Sequence, residues 1–124
     1  MKAENVVAFI IGIALFACFS GERGYSVRLR NTGPRQIDAA RVRYGNFASD
    51  VGLLIAHAAD THLDVRESLP KSALVEWRDA DGTYHREMVH VAIPQGFKGV
   101  LVFEIDGTNQ VHVLTEPPPR RIVP

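Results

Sequence analysis

The chain has 124 residues, 14 Lys and Arg balanced by 14 Asp and Glu, 46% hydrophobic residues, 23% charged residues and one cysteine. That length accommodates one domain, and the balanced charge offers no surplus of cations for a nucleic-acid backbone. A lone cysteine excludes an intramolecular disulfide framework and a cysteine-based zinc site.

Val6 to Phe19 run without a charged side chain, preceded by Lys2 and Glu4. About 14 apolar residues make a helix of roughly 21 Å, whereas a bilayer core of about 30 Å needs about 20 residues. The segment suits the core of a signal peptide, and residues 1–21 are read as a hydrophobic signal or anchor helix. Within it, Leu15, Ala17 and Cys18 resemble the lipobox of bacterial lipoprotein signal peptides, with Phe16 departing where a smaller residue is usual. The resemblance implies lipidation at Cys18 and a domain facing the periplasm. An uncleaved single span of the inner membrane and ordinary cleavage are the alternatives.

From Tyr25 onward, apolar residues recur at every second position in short runs separated by Gly, Pro, Asn and Asp, the pattern of half-buried antiparallel strands. Tyr25, Val27 and Leu29 share one face and Ser26, Arg28 and Arg30 the other; after Asn31-Thr32-Gly33-Pro34, Ala40, Val42 and Tyr44 alternate with Ala39, Arg41 and Arg43. Val51 to Ile55 fits a buried strand better than a short helix. Thr61, Leu63 and Val65 are expected to point inward, with Asp60, His62 and Asp64 on the solvent face. Leu69-Pro70 makes a corner before Ala73 to Trp77, and Asp79-Ala80-Asp81-Gly82 turns that strand into Tyr84 to Ile93 as a hairpin. Gly99 to Ile105 and Gln110 to Leu114 flank a turn at Asp106 to Asn109. Seven to eight short strands predict an all-β, antiparallel β-sandwich of immunoglobulin-like type over residues 22–116, with Trp77 its largest core residue. Residues 117–124 read as a Pro-rich exposed tail.

Charge is uneven along the chain. Residues 22–43 hold six Arg against Glu22 and Asp38, whereas residues 50–116 hold five basic and eleven acidic residues. A sandwich that interleaves early and late strands pairs these charges across its sheets; segregation would instead leave a basic patch near the membrane and an acidic surface beyond it.

Five histidines could carry chemistry. His57 and His62, like His85 and His90, are five apart, which places neither pair on one strand face. Asp60, His62 and Asp64 form a weak candidate cation site if strand alternation aligns them. Tyr84, Met88 and His90 share a face and read as packing residues, while His85 and Glu87 lie on the other side, where hydrogen bonding within the sheet is expected. The chain has no Gly-x-Ser-x-Gly elbow and no phosphate-cradling glycine motif, and Cys18 is committed to the apolar segment. No nucleophile, base and oxyanion set can be named, so the expectation is a non-enzyme without a cofactor and without an identified small-molecule substrate.

The lipobox-like start, the short β-strands and the block from Leu69-Pro70 through Val75-Glu76-Trp77-Arg78-Asp79-Ala80-Asp81-Gly82 to His85 resemble a group of small proteobacterial exported lipoproteins. Some similar envelope proteins are immunity proteins that neutralise type VI secretion toxins. The resemblance covers residues 15 to 105, and its motifs are structural: a corner, a core Trp and a hairpin turn. It implies a module bound to membrane lipid through its N-terminus and engaging a toxin or envelope protein, or else a structural or accessory envelope lipoprotein. A periplasmic metal-binding protein is a third reading. Asp79, Asp81, Glu104 and Asp106, taken as loop acids, are the candidate contacts for a basic partner.

Overall fold

The structure, a computed structural model, describes residues 24–118. The apolar segment with Cys18 and the last six residues lie outside that range. Among the described residues, no helix is long and apolar enough to cross a membrane.

Eight strands follow in order: β1 (Tyr25–Asn31), β2 (Ile37–Tyr44), β3 (Phe47–Leu54), β4 (Ala59–Val65), β5 (Ser72–Arg78), β6 (Tyr84–His90), β7 (Val100–Ile105) and β8 (Val111–Glu116). They form two four-stranded sheets, β4-β1-β7-β8 and β3-β2-β5-β6. Every pairing is antiparallel except that of β1 with β7. The chain is an all-β sandwich, and the stretch from Val51 to Ile55 falls mainly in β3 as a strand.

The alternation of β1 and β2 sets the core: Tyr25, Val27 and Leu29 from one sheet face Ala40, Val42 and Tyr44 from the other. Phe103 and Trp77 are the largest of the fully buried side chains, and Trp77 is the bulkier. Removing such a side chain from water contributes about 2–3 kcal/mol before entropy is counted. Polar ties link the sheets at each end of this core. Tyr25 of β1 and Tyr44 of β2 share a buried hydroxyl hydrogen bond of 2.6 Å. At the other end Asn31, 1% exposed, donates from Nδ2 to the carbonyls of Arg35 (2.9 Å), Leu54 (3.1 Å) and Ile55 (3.2 Å) and accepts from the Gly33 amide at 3.0 Å. A buried amide side chain with all these partners is well satisfied and fixes two loops at once.

One expectation about facing is overturned. In β4, His62 pairs with Val27 and Tyr25 with Val65, so two residues of β1 span three of β4. The surplus residue is accommodated at Asp64, whose φ of +57° lies in the left-handed region that Asp tolerates better than most residues. Directly paired residues share a face, so Asp60 and His62 lie on the core side at the sheet edge, opposite Leu29 and Val27. Thr61 turns outward and its hydroxyl accepts from Arg28 Nε at 2.8 Å; Leu63 is 63% exposed; Val65 alone of the expected trio is buried. Likewise Tyr84 and Met88 do share a face, but it is the outer one, and they are 55% and 64% exposed rather than packed at the core edge.

Charge is interleaved. β1 and β2 belong to different sheets, so the arginine-rich early segment is divided between the two outer faces. Arg28 and Arg30 of β1 bridge to Glu116 of β8 at 2.6 and 2.7 Å, and Arg30 also reaches Glu104 at 3.1 Å. β7 lies between β1 and β8, so these bridges cross over it, where the outward-facing Val100 and Val102 are fully buried. Arg41 and Arg43 of β2 instead meet Asp50 and Glu76 on the opposite face.

Candidate functional site

The turns β5–β6 and β7–β8 are built alike. Asp79 Oδ1 accepts from the amides of Asp81 (2.9 Å) and Thr83 (3.0 Å), and its Oδ2 meets His85 Nε2 at 2.8 Å. Asp106 Oδ1 accepts from the amides of Thr108 (2.8 Å) and Gln110 (3.1 Å), and its Oδ2 meets His112 Nε2 at 2.7 Å. The fourth residue of each turn, Gly82 or Asn109, carries the positive φ such a hairpin requires, +88° and +61°. Each turn thus ends in an aspartate and a histidine six residues on, brought side by side by the chain reversal. Sequence reasoning expects a hydrogen bond at His85 but misses its partner Asp79, and misses His112 altogether; the repeated Asp-to-His spacing of six across a turn is the signal that finds them.

These contacts set the acidity of both aspartates. The hydrogen bond from His85 holds the Asp79 carboxyl below the usual carboxylate range, against the opposing effect of its partial burial. His112 and the Thr108 hydroxyl hold Asp106 further down.

The two turns belong to different sheets, and Trp77 joins them. Its indole stacks on the His85 ring with centroids 5.0 Å apart and planes 14° from parallel. Its Nε1 donates to Asn109 Oδ1 at 3.0 Å, and Asn109 Nδ2 reaches Asp79 Oδ2 at 3.4 Å. The β1–β2 loop closes in from the side, and a side chain on Gly33 would stand only 3.0 Å from the Gly107 backbone, so glycine permits that approach.

The three loops enclose a cleft of about 140 Å³. Asp79, Asp81 and Asp106 line it, with Arg35 the one cation in its wall, paired to Asp81 at 2.8 Å on the exposed rim. A second cleft, of about 190 Å³ between Gly24, Glu67 and Lys98, lies at the opposite end, where β1 begins and β8 finishes. The acidic cleft is therefore at the end of the sandwich remote from both points where the chain leaves it.

Three of the four candidate acids meet at this site. Glu104 does not: it lies within β7, bound to Arg30, and is no loop residue. Asp60, His62 and Asp64 are not gathered. The bulge takes Asp64 off the face of the other two, where it accepts from the Gly24 amide (2.9 Å) and Arg66 (3.2 Å), and the His62 ring packs edge-on against Phe47. No cluster of three or more His, Cys, Asp or Glu side chains is placed to hold a metal ion among the described residues. Cys18 lies outside them.

No family model matches the chain, and no curated protein matches it. Among solved structures, an NMR structure of a protein from Eubacterium rectale is similar, with a TM-score of 0.53 and 17% identity over 78% of this chain and 92% of that one. A likeness at that identity is one of fold alone; the two four-stranded sheets of this chain make it a small two-sheet β-sandwich domain.

Proposed function

We propose that this chain is a non-catalytic protein-binding module of the bacterial envelope, tethered to the membrane by its N-terminal segment through Cys18, facing the periplasm and acting as an immunity protein against an antibacterial toxin. The sandwich is of immunoglobulin-like type on this reading, which its cross-sheet connections and mixed-order sheets support. The observation that carries the proposal is the cleft at the end remote from Gly24, which is where the proposed tether would join. Three aspartates line the cleft against one arginine, and this acidic excess suits a basic side chain of a partner. A tether at the opposite end holds this cleft away from the membrane, toward whatever enters the periplasm.

The test is protection. Bacteria expressing the full chain are challenged with the secreted product of the neighbouring gene, and survival is scored beside that of cells expressing Asp81→Lys. Survival that Asp81→Lys abolishes supports the proposal. Absence of protection, or protection equal in both, overturns it. An envelope defect on deleting the gene, without any competitor present, favours the accessory-lipoprotein reading instead.

A further inference from the structure

We infer that the outer face of β5 and β6 is a second docking surface, for a partner protein that presents a carboxylate beside an apolar side chain. The inference is independent of the tether and of the acidic cleft.

Strand register places Tyr84 beside Arg78, Arg86 beside Glu76 and Met88 beside Leu74 on this face. Tyr84 and Met88 are exposed, and Arg86 projects between them with its side chain 64% exposed. Tyr, Met and Arg are the residue types enriched where proteins bind one another.

The group is held in place from beneath. Glu76 points outward, yet only 5% of it is exposed, because side chains close over it. Its Oε2 accepts from the Tyr84 hydroxyl at 3.0 Å, which fixes an exposed aromatic ring in one position. Its Oε1 stands 3.4 Å from Arg43 Nη2 and 3.6 Å from Arg41 Nε. A rigid exposed ring loses little freedom on binding, which is the property of an anchor residue.

The charge on this face selects the partner. Arg41, Arg43 and Arg86 surround Glu76, and Asp50 at 3.1 Å from Arg41 is the other acid of the group. Three guanidiniums against two carboxylates leave a surplus cation. It falls at Arg86, whose Nε stands 3.8 Å from Glu76 Oε2, the longest of the three arginine contacts to that carboxylate, and whose side chain is 64% exposed. A guanidinium engages a carboxylate through paired N–H donors. The flanking Tyr84 and Met88 then cover the apolar neighbour of that carboxylate.

The edge of β6 does not invite strand addition in place of face docking. Glu87 pairs with Val75 and so points inward, yet remains exposed at the sheet margin, a placement that disfavours pairing with a further strand.

The experiment selects a random-peptide display library on the full chain and measures the winners by titration. The expected winners carry Asp or Glu next to an aromatic or aliphatic residue, and Arg86→Gln and Tyr84→Ala each weaken them about tenfold or more, while Asp81→Lys does not. The Trp77 near-ultraviolet signal reports whether each variant keeps its core. Failure to enrich any peptide, winners without acidic residues, or binding unchanged in folded Arg86→Gln overturns the inference. A concentration-dependent mass that Met88→Ala abolishes also overturns it, in favour of a second copy of the chain on this face.

Discussion

Trp77 is held on its face by His85 and at its nitrogen by Asn109, and the second contact depends on one backbone angle. Asn109 sits at φ +61°, from where its side chain serves both Trp77 and Asp79. Asn109→Gly keeps that backbone and removes the acceptor, leaving the buried indole N–H unpaired, for a loss of about 1–2 kcal/mol. Asn109→Ala adds the cost of placing a Cβ in the left-handed region, about 1 kcal/mol more. Urea unfolding of the two variants checks the order: Ala below Gly below the parent. Equal stability of all three would mean that water replaces Asn109 at no cost. The importance of Trp77 is legible in the sequence, because a single large aromatic in an alternating strand has to be buried. Its partner is not legible, because Asn109 is 32 residues away, in the turn that joins β7 to β8 of the other sheet.

At the scale of the element, the strands that matched expectation are those whose alternation is uninterrupted. β1, β5 and β7, and β2 from Ala40 onward after an irregularity at Ala39 (φ +50°), bury every second residue on the core side, as their Val, Leu, Ile and aromatic spacing predicts. β4 departs because one extra residue at Asp64 exchanges the faces of everything before it. The bulge makes Leu63 a surface residue and leaves Val65 in the core. Leu63→Thr is accordingly expected to change stability by no more than about 0.5 kcal/mol, and Val65→Ala to cost about 2 kcal/mol. Thermal unfolding of the pair distinguishes this register from uninterrupted alternation, under which both substitutions remove core contacts. Polar groups facing inward on the edge strands, His62 in β4 and Glu87 in β6, follow the same logic: at a sheet margin they remain hydrated and discourage pairing with another chain.

For the whole molecule, acid is the condition that exposes how the carboxylates are used. Asp38, Asp79, Asp106 and Glu116 are all held below their ordinary values, by Arg78, His85, His112 and Arg30 respectively as the leading cause. A carboxyl with a depressed folded-state pKa adds stability that is complete above its unfolded pKa, about 4 for Asp and Glu, and lost as pH falls through the folded one. The urea midpoint is therefore expected to hold from neutrality down to about pH 5 and then to decline as protons are taken up on unfolding. Asp106→Asn removes one such proton, so its decline is shallower even though its midpoint near neutrality is lower. An equally steep decline in the variant would show that Asp106 contributes nothing to the linkage.

What the sequence determined by itself is whatever nearest neighbours along the chain decide. Side-chain alternation, β-branched content and turn residues with positive φ make eight strands and their hairpins readable, and balanced composition makes paired charges the natural outcome. It also carried the loop acids Asp79, Asp81 and Asp106, because a turn between strands is exposed by construction. Only the tertiary structure decided which partners meet. The bulge that redirects Leu63, the arginines of β1 spanning β7 and the arginines of β2 gathered over the buried Glu76 all depend on strand register and sheet order. Those contacts join residues far apart in the chain, and no local pattern encodes a pairing that hydrogen bonding between distant strands has to select.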